Sequence, residues 1–199
     1  MFNYQRLYDR MAAVYAPAAR LLPMWMKYAR QVLPYLPQSG AILEIGPGPG
    51  LLHTEIAQTH PLTFAIDLSM GMLKQTQRRL QRRGLPVNLV QANATHLPLE
   101  ASRFDGVMLT FVFSAIPDGQ AALSEIRRVL HPQGILALVD ACIPDSGNLI
   151  ARGLGRTWEL FGDRMRDEAA LMCAVGFEVI ERREFGAFHS IRLTVGRKT

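Results

Sequence analysis

Five residues that alternate glycine and proline follow an apolar run ending at Ile45: Gly46, Pro47, Gly48, Pro49 and Gly50. Glycines at the end of a buried strand let the backbone turn sharply into a helix and approach a ligand closely. The spacing differs from the Gly-x-Gly-x-x-Gly of dinucleotide-binding loops. Because proline has no N–H, the loop also lacks donors that a pyrophosphate would use. The pattern favours a ligand without phosphate, and a tight turn without any ligand stays open.

Two acidic residues flank this loop in the sequence. Glu44 would repel a pyrophosphate but suits a cationic ammonium or sulfonium group. Asp67 ends the next apolar run, about twenty residues beyond Gly46, where nucleotide-binding α/β folds place an acid that accepts hydrogen bonds from ribose hydroxyls. S-adenosylmethionine, an adenosine joined to an amino acid through a sulfonium, combines these features. The alternative for Asp67 is a helix-capping turn with Ser69.

Short apolar runs alternate with helical patterns from residue 41 onward. The runs predict strands over 41–45, 62–66, 87–91, 105–110 and 135–140. The segments between them predict helices over 51–58, 69–82 and 120–130. This alternation is typical of a parallel sheet covered by helices on both faces.

The C-terminal part has a different pattern. A helix over 166–175 is followed by two successive strands, 177–184 and 189–195, with a turn around Gly186. We therefore expect an antiparallel hairpin that closes a Rossmann-like, doubly wound, mostly parallel seven-stranded sheet. A chain of 199 residues fits one domain. Within it we expect an N-terminal helical region over 1–38 and a ligand-binding core over 41–199.

Composition narrows the class of protein. A chain that is 49% hydrophobic and 20% charged has the composition of an ordinary globular protein. No apolar run reaches the roughly 18 residues that cross a bilayer, and the N-terminus lacks the apolar stretch of a signal peptide. We therefore expect a cytoplasmic protein. Cys142 and Cys173 lie in apolar surroundings without histidines at metal-ligand spacing, which predicts small core residues and no metal site.

The formal net charge of +5 permits binding to anions but proves none. The tightest basic cluster is Arg78, Arg79, Arg82 and Arg83. Helical spacing makes it a solvated face, and no aromatic residues are interleaved to stack on bases. Nucleic-acid binding is therefore not favoured.

Several segments, in order, resemble class I S-adenosylmethionine-dependent methyltransferases. Their sequences are similar to the branch that contains the ubiquinone/menaquinone-biosynthesis and bacterial phospholipid N-methyltransferases. The matching segments are LEIGPGPG at 43–50, IDLSMGML at 66–73, QANATHLPL at 91–99, RFDGV at 103–107 and IRRVLHPQG at 126–134. The resemblance covers nearly the whole chain from residue 41 onward, including the closing hairpin.

The resemblance implies a set of cofactor contacts. Asp67 would bind the ribose diol, with Leu68 and Met72 against the adenine. Asn93 stands where the family usually has aspartate, and its carbonyl can still accept a hydrogen bond. The implied cofactor-binding residues are Glu44, Gly46, Pro47, Gly48, Gly50, Asp67, Leu68, Met72, Asn93, Ala94, Thr110, Phe111 and Tyr15.

The acceptor side is less defined by the resemblance. The N-terminal segment resembles a tyrosine-bearing helix that folds over the cofactor in the family. We expect substrate contacts from Tyr8, Phe113, Ser114, Trp158 and His189. No unmistakable general base is present: His53, His131 and His189 are interpreted as surface or packing residues. The apolar and basic run around Trp25 suits either core packing or a helix at a lipid surface.

Together these features predict a methyltransferase that uses S-adenosylmethionine, releases S-adenosylhomocysteine and acts on a small or lipophilic acceptor. A phospholipid amine or quinone-like ring is favoured, reached from a membrane surface through the N-terminal helices. The apolar run 110–113 lacks the Asn/Asp-Pro-Pro-aromatic signature of nucleic-acid methyltransferases. A non-catalytic cofactor-binding protein and an NAD-dependent oxidoreductase stay as alternatives, and the sequence does not give the oligomeric state.

Overall fold

The computed structural model describes residues 22–145, Gly153, Arg156 and residues 163–199. Its strands are β1 Ile42–Ile45, β2 Thr63–Asp67, β3 Leu89–Gln91, β4 Phe104–Thr110, β5 Leu130–Ala141, β6 Phe177–Phe185 and β7 Ile191–Lys198. Its α-helices are α1 Leu22–Ala29, α2 Leu51–Ala57, α3 Met70–Gln81, α4 Gly119–Val129 and α5 Glu168–Ala174. Two 3-10 helices cover Arg30–Tyr35 and Ala187–His189.

The strands form one seven-stranded sheet in the order β3-β2-β1-β4-β5-β7-β6. The first five strands in this order are parallel, and β7 pairs antiparallel with both β5 and β6. The predicted fold, with its C-terminal antiparallel hairpin, is confirmed. The chain winds outward from β1 to β3 and then returns to place β4 beside β1, so these two strands flank the crevice where such sheets bind ligands.

Helices pack on both faces of the sheet. On one face α4 and α5 contribute buried side chains such as Leu123, Ile126 and Met172. On the other face α1, α2 and the first 3-10 helix contribute Val32, Leu52 and other apolar residues. Every residue of β1 is buried, as expected for a central strand covered on both sides. None of the described helices is both long enough and apolar enough to cross a membrane.

Two features differ from the prediction. Strand β5 begins at Leu130 rather than residue 135, because Leu130 pairs with Phe104 before an irregularity shifts the register to Gly106. A pattern of apolar residues cannot show this pairing, since the residues between are polar. Cys173 is exposed and Cys142 is buried, so the prediction of a core cysteine is wrong for Cys173.

A buried guanidinium joins the hairpin to the rest of the domain. Arg192 on β7 is 3% exposed, and its Nη1 lies 3.1 Å from Oε2 of Glu168 on α5. Its Nη2 lies 2.6 Å from Oε1 of Glu184 on β6 and 3.0 Å from Oδ1 of Asp145. Burial raises the pKa of Glu168, and the charge of Arg192 opposes that rise. The guanidinium of Arg192 therefore links β7 to α5 and β6 by neutralising the carboxylates of Glu168 and Glu184.

We expect Arg192→Met to lower the free energy of unfolding by about 3–5 kcal/mol, because it leaves buried carboxylates without a cation. Arg197→Met is the matched control on the same strand. Arg197 pairs with Glu178 at 3.8 Å, and both side chains are largely exposed. Its loss should cost less than about 1 kcal/mol. Urea unfolding of both variants measures the difference, and equal midpoints would contradict the assignment of Arg192 as the anchor.

Candidate functional site

The glycine loop lies against its neighbours so closely that side chains are excluded. Gly46 has φ +70°, and a Cβ there would lie 2.5 Å from Cγ2 of Val112, which follows β4. Gly50 has φ +76°, and its Cβ would lie 2.6 Å from the side chain of Thr76 on α3. Both positions therefore require glycine for two reasons: a side chain would clash with these neighbours, and the positive φ disfavours any other residue.

The middle glycine faces a different environment. Gly48 has φ +53°, and among the described residues a Cβ there would meet nothing within 4 Å. The carbonyl of Gly48 accepts a hydrogen bond from Oγ1 of Thr76 at 2.9 Å, and that of Pro49 accepts one from Nε of Arg79 at 3.1 Å. The loop is thus anchored from α3, and no described residue occupies the side of Gly48 that a Cβ would fill.

Asp67 faces this loop from the end of β2. Its Oδ1 accepts a hydrogen bond from the backbone N–H of Ser69 at 2.8 Å. Burial raises the pKa of Asp67 to about 6, the negative charge of Glu44 adds to the rise, and the N–H groups of Ser69 and Gly48 oppose it. The carboxylate therefore lies close enough to Gly48 to feel its amide. The side chain of Ser69 also caps α3, so the capping turn considered as the alternative role of Asp67 is present. The predicted contact of Asp67 with a ribose stays a prediction.

Of the residues expected around the adenine, Leu68, Asn93 and Ala94 follow the ends of β2 and β3, and Met72 lies in the first turn of α3. Leu68 is 44% exposed, whereas Met72 and Ala94 are buried. Asn93 is exposed, and its Oδ1 already accepts a hydrogen bond from the N–H of Thr95 at 3.0 Å. An apolar surface and a side-chain amide thus stand at one edge, and their contact with adenine stays a prediction.

An aromatic pair covers the end of β4. Phe111 follows the half-buried Thr110 and has a positive φ of 56°, which is strained for a bulky residue. Its backbone N–H donates to the carbonyl of Val139 at 2.8 Å. The Trp25 ring lies edge-on to the Phe111 ring, with centroids 4.4 Å apart. The helix α1 therefore reaches the carboxyl edge of the sheet.

Of the residues predicted to contact an acceptor, the structure describes three, and two of these are buried. Phe113 is 1% exposed and lies in the core, with the guanidinium of Arg166 5.5 Å from its ring centre. Ser114 Oγ lies 3.0 Å from Oδ1 of Asp140 and 3.2 Å from Oδ1 of Asp163. His189 is exposed at the tip of the hairpin. Neither Phe113 nor Ser114 faces open space. The remaining calls, Tyr8, Tyr15 and Trp158, lie outside the described residues.

Sequence reasoning missed three features of this edge. Trp25 is one; its only signal was an aromatic residue in the N-terminal apolar run. Asp140 is the second: it is buried near the end of β5, whereas Asp67 at the end of β2 is half-buried, and burial raises the pKa of Asp140 to about 7. The third is a buried contact between Glu44 and His53, whose side chains are 1% and 0% exposed. His53 is thus a packed residue, one of the two roles expected for it.

Comparisons with known proteins agree with this geometry. The family named Methyltransferase domain matches residues 43–138. The chain is 33% identical over 165 residues to an O-methyltransferase, rstn1, of Aspergillus nomiae, covering 78% of this chain and 69% of that protein. It is 32% identical over 159 residues to the ubiquinone/menaquinone biosynthesis C-methyltransferase UbiE of Syntrophotalea carbinolica, covering 76% of this chain and 66% of that protein.

Solved structures show the same fold. An S-adenosylmethionine-dependent methyltransferase from Thermotoga maritima superposes with a TM-score of 0.74 at 19% identity, covering 98% of this chain and 99% of that one. Coverage of several curated relatives is smaller: the chain spans 49% of the demethylmenaquinone methyltransferase of Thermus thermophilus, at 32% identity over 108 residues and 53% of this chain.

We expect Gly48→Ala to weaken binding of S-adenosylhomocysteine by roughly tenfold or more, because its methyl group would enter the space beside the loop. Gly84→Ala is the matched control, since Gly84 has φ +65° and its Cβ would also meet nothing within 4 Å. Both variants should lose about 1 kcal/mol of stability to backbone strain. Calorimetric titration measures binding. Unchanged affinity in Gly48→Ala would place the ligand elsewhere.

We expect affinity for S-adenosylhomocysteine to fall as the pH decreases through about 6, where Asp67 takes up a proton. A protonated carboxyl accepts ribose hydrogen bonds more weakly, and the loss reaches at most about tenfold per pH unit. Titrations at about pH 7.5 and about pH 5 measure it. Asp67→Asn should bind weakly at both; a wild-type affinity that does not change with pH would contradict this role.

Proposed function

The chain belongs to the class I S-adenosylmethionine-dependent methyltransferases, and from this premise we propose that it methylates a lipophilic acceptor, with a quinone-like aromatic ring favoured. The observation that carries the proposal is the aromatic cover of Trp25 and Phe111 at the carboxyl end of β4. Val112, the residue after Phe111, lies against Gly46 of the glycine loop, so the aromatic pair and the loop belong to the same edge of the sheet. An apolar wall of this kind suits a planar, lipophilic ring.

The residues of the cradle fit the cofactor. No described residue fills the space where a side chain of residue 48 would stand, and Asp67 would offer a carboxylate to a ribose diol. Glu44 places a second carboxylate near Asp67, which suits a cationic ligand and disfavours a pyrophosphate. This charge pattern speaks against the oxidoreductase alternative.

Bound S-adenosylmethionine supplies an electrophilic methyl group on a sulfonium, open to in-line displacement. The chain's own contribution is to bind the cofactor and the acceptor, to align them with each other and to exclude water from the site. Gly46 and Gly48 let the backbone lie against the cofactor, and Asp67 fixes the ribose. Phe111 and Trp25 shield the acceptor side from solvent. A hydroquinone ring attacks through carbon most readily as its phenolate, and the carbon that accepts the methyl group must then lose its proton to water to restore the aromatic ring. Alignment can supply much of the remaining acceleration.

The remaining cofactor contacts are proposed from the resemblance to the family. Leu68, Met72, Ala94 and Asn93 would hold the adenine, and Thr110 would lie beneath the sulfonium. Pro47 and Gly50 would shape the loop around the methionine portion. Tyr15, Tyr8 and Trp158 keep their predicted roles, and so does the exposed His189 on the acceptor side. Phe113 and Ser114 are withdrawn from the acceptor side, because both side chains are buried.

The names of similar proteins favour the quinone-like acceptor over an amine. UbiE of Syntrophotalea carbinolica is named for ubiquinone and menaquinone biosynthesis, and a similar protein of Thermus thermophilus is named a demethylmenaquinone methyltransferase. A phospholipid amine is the second candidate, since its apolar chains would use the same wall. This chain spans 66% and 49% of the lengths of these two proteins, so their names support the quinone-like acceptor as a proposal for this chain.

We also propose that the acceptor arrives from a lipid surface. Met24 on α1 is 42% exposed and Phe188 at the hairpin tip is 58% exposed. Tyr28 of α1 lies against the hairpin, with its ring 5.5 Å from that of Phe185. Exposed Lys27 and Arg183 flank these apolar residues. Apolar side chains beside cations are typical of helices that bind anionic membranes peripherally.

We expect the chain to methylate a demethylated, isoprenoid-tailed hydroquinone presented in anionic vesicles, at a rate about tenfold or more above phosphatidylethanolamine. Methyl-labelled S-adenosylmethionine reports the transfer. Trp25→Ala should raise the KM for the hydroquinone about tenfold, because the wall loses its outer ring. Tyr35→Ala is the control, since Tyr35 belongs to the same N-terminal segment and is half-buried against the same apolar cluster as Phe111.

Three outcomes separate the readings. Transfer to phosphatidylethanolamine alone would replace the quinone-like acceptor by a lipid amine. Equal rates with vesicles and with a detergent-dispersed acceptor would contradict the lipid surface. Tight binding of S-adenosylmethionine without transfer to any acceptor would identify a non-catalytic cofactor-binding protein.

A further inference from the structure

One guanidinium near the carboxyl edge of the sheet has no described partner. Nη1 of Arg164 is buried, and among the described residues this half-buried side chain makes neither a hydrogen bond nor an ion pair. Nε of Arg192 is also unpartnered, but the other nitrogens of that guanidinium contact three carboxylates. Arginine stays charged in proteins, so a buried N–H of Arg164 without an acceptor costs free energy. A role in ligand binding would account for that cost.

The backbone of Arg164 lies at the edge that carries the glycine loop. Its N–H donates to the carbonyl of Ser114 at 2.9 Å. Ser114 follows Val112 by two residues, and Val112 is the neighbour that a Cβ at Gly46 would strike. The hydroxyl of Ser114 in turn contacts Asp140 near the end of β5. Arg164 therefore stands at the carboxyl ends of β4 and β5.

Other groups attach this segment to the domain. Oδ1 of Asp163 lies 3.2 Å from the hydroxyl of Ser114. Nη2 of Arg166 donates to the carbonyl of Ile116 at 2.6 Å, in the loop after β4. The described contacts thus hold the segment without the guanidinium of Arg164, which stays available for a ligand.

The positive charge of Arg164 reaches its surroundings. Burial lowers the pKa of Arg166 and the charge of Arg164 lowers it further, whereas Asp118, Asp140 and Glu168 oppose the fall. Burial also raises the pKa of Asp140 to about 7, which reduces the negative charge that could offset the two guanidiniums near neutral pH. This part of the edge therefore attracts an anion.

We propose that Arg164 binds an anionic oxygen of the acceptor, which is the phenolate of a ring or the phosphate of a lipid headgroup. The inference rests on the proposed function, because it names the group by which that acceptor is recognised. A guanidinium suits either oxygen, since it carries a permanent charge and presents planar N–H donors that form charge-assisted hydrogen bonds. Trp25 and Phe111 would contact the apolar part of the same acceptor.

Three variants test the inference beside the wild type. Arg164→Gln removes the charge, Arg164→Lys keeps it, and Arg103→Gln is the control, since Arg103 is exposed just before the opposite end of β4. Each protein is saturated with S-adenosylhomocysteine and titrated by calorimetry with para-nitrophenolate, with its uncharged methyl ether para-nitroanisole and with glycerol phosphate. The pH is held above the pKa of para-nitrophenol, so that this probe is an anion.

The wild type should bind para-nitrophenolate about tenfold or more tightly than para-nitroanisole, and Arg164→Gln should lose this preference. Arg164→Lys should retain the preference to within about threefold, and Arg103→Gln should match the wild type. A loss of affinity for glycerol phosphate alone in Arg164→Gln would assign the anionic oxygen to a lipid headgroup. Equal binding of every probe by the wild type and Arg164→Gln would overturn the proposal.

Stability gives a reading that needs no ligand. Arg164→Met should keep or raise the midpoint of urea unfolding, because it removes a buried charge and no described bond. A lower midpoint would show that the guanidinium is structural, and the proposal would fail. If the wild type does not bind S-adenosylhomocysteine, the proposed function itself fails, and the probes are titrated into the free protein, which keeps the two failures distinct.

Discussion

At Gly46 and Gly50 a hydrogen atom is the largest group that fits between the loop and its neighbours, Val112 and Thr76. This close approach brings the end of β1 against the end of β4 and against α3. The position of Asp67 relative to the loop follows from it, because α3 and β2 are joined at Ser69. The open side of Gly48 exists because the loop is fixed on its other sides. The cradle is therefore a consequence of backbone packing, with few side chains of its own.

Buried charge is the second constraint on this edge of the sheet. Asp67, Glu44 and Asp140 all lie at or near the carboxyl ends of parallel strands, and burial raises the pKa of Asp67 and Asp140. Such groups cost stability in the free protein, since the ionised forms have lost water. A ligand with hydroxyl groups and a positive charge offsets part of that cost. The domain compensates elsewhere, where Arg192 neutralises the carboxylates of the hairpin and α5.

Much of the fold was predictable from the sequence because its signals are local. Apolar runs separated by helical patterns predicted the parallel strands, Gly176 marked the start of the C-terminal hairpin and Gly186 marked its turn. The start of β5 was predicted five residues late, since its first pairing, Leu130 with Phe104, depends on a partner strand and a register shift. The exposure of Cys173 was also missed, because it depends on which face of α5 meets the sheet.

The sequence by itself determined the glycine loop, the acid after β2 and the order of elements that brings both to one edge. Those features depend on neighbours along the chain, where spacing and residue type are enough. Only the tertiary structure decided that Trp25 covers Phe111 and that His53 holds Glu44. It also placed Phe113 in the core and Ser114 against Asp140 and Asp163. These outcomes depend on the direction of side chains from separate elements, and that direction is fixed by packing, which no local pattern encodes.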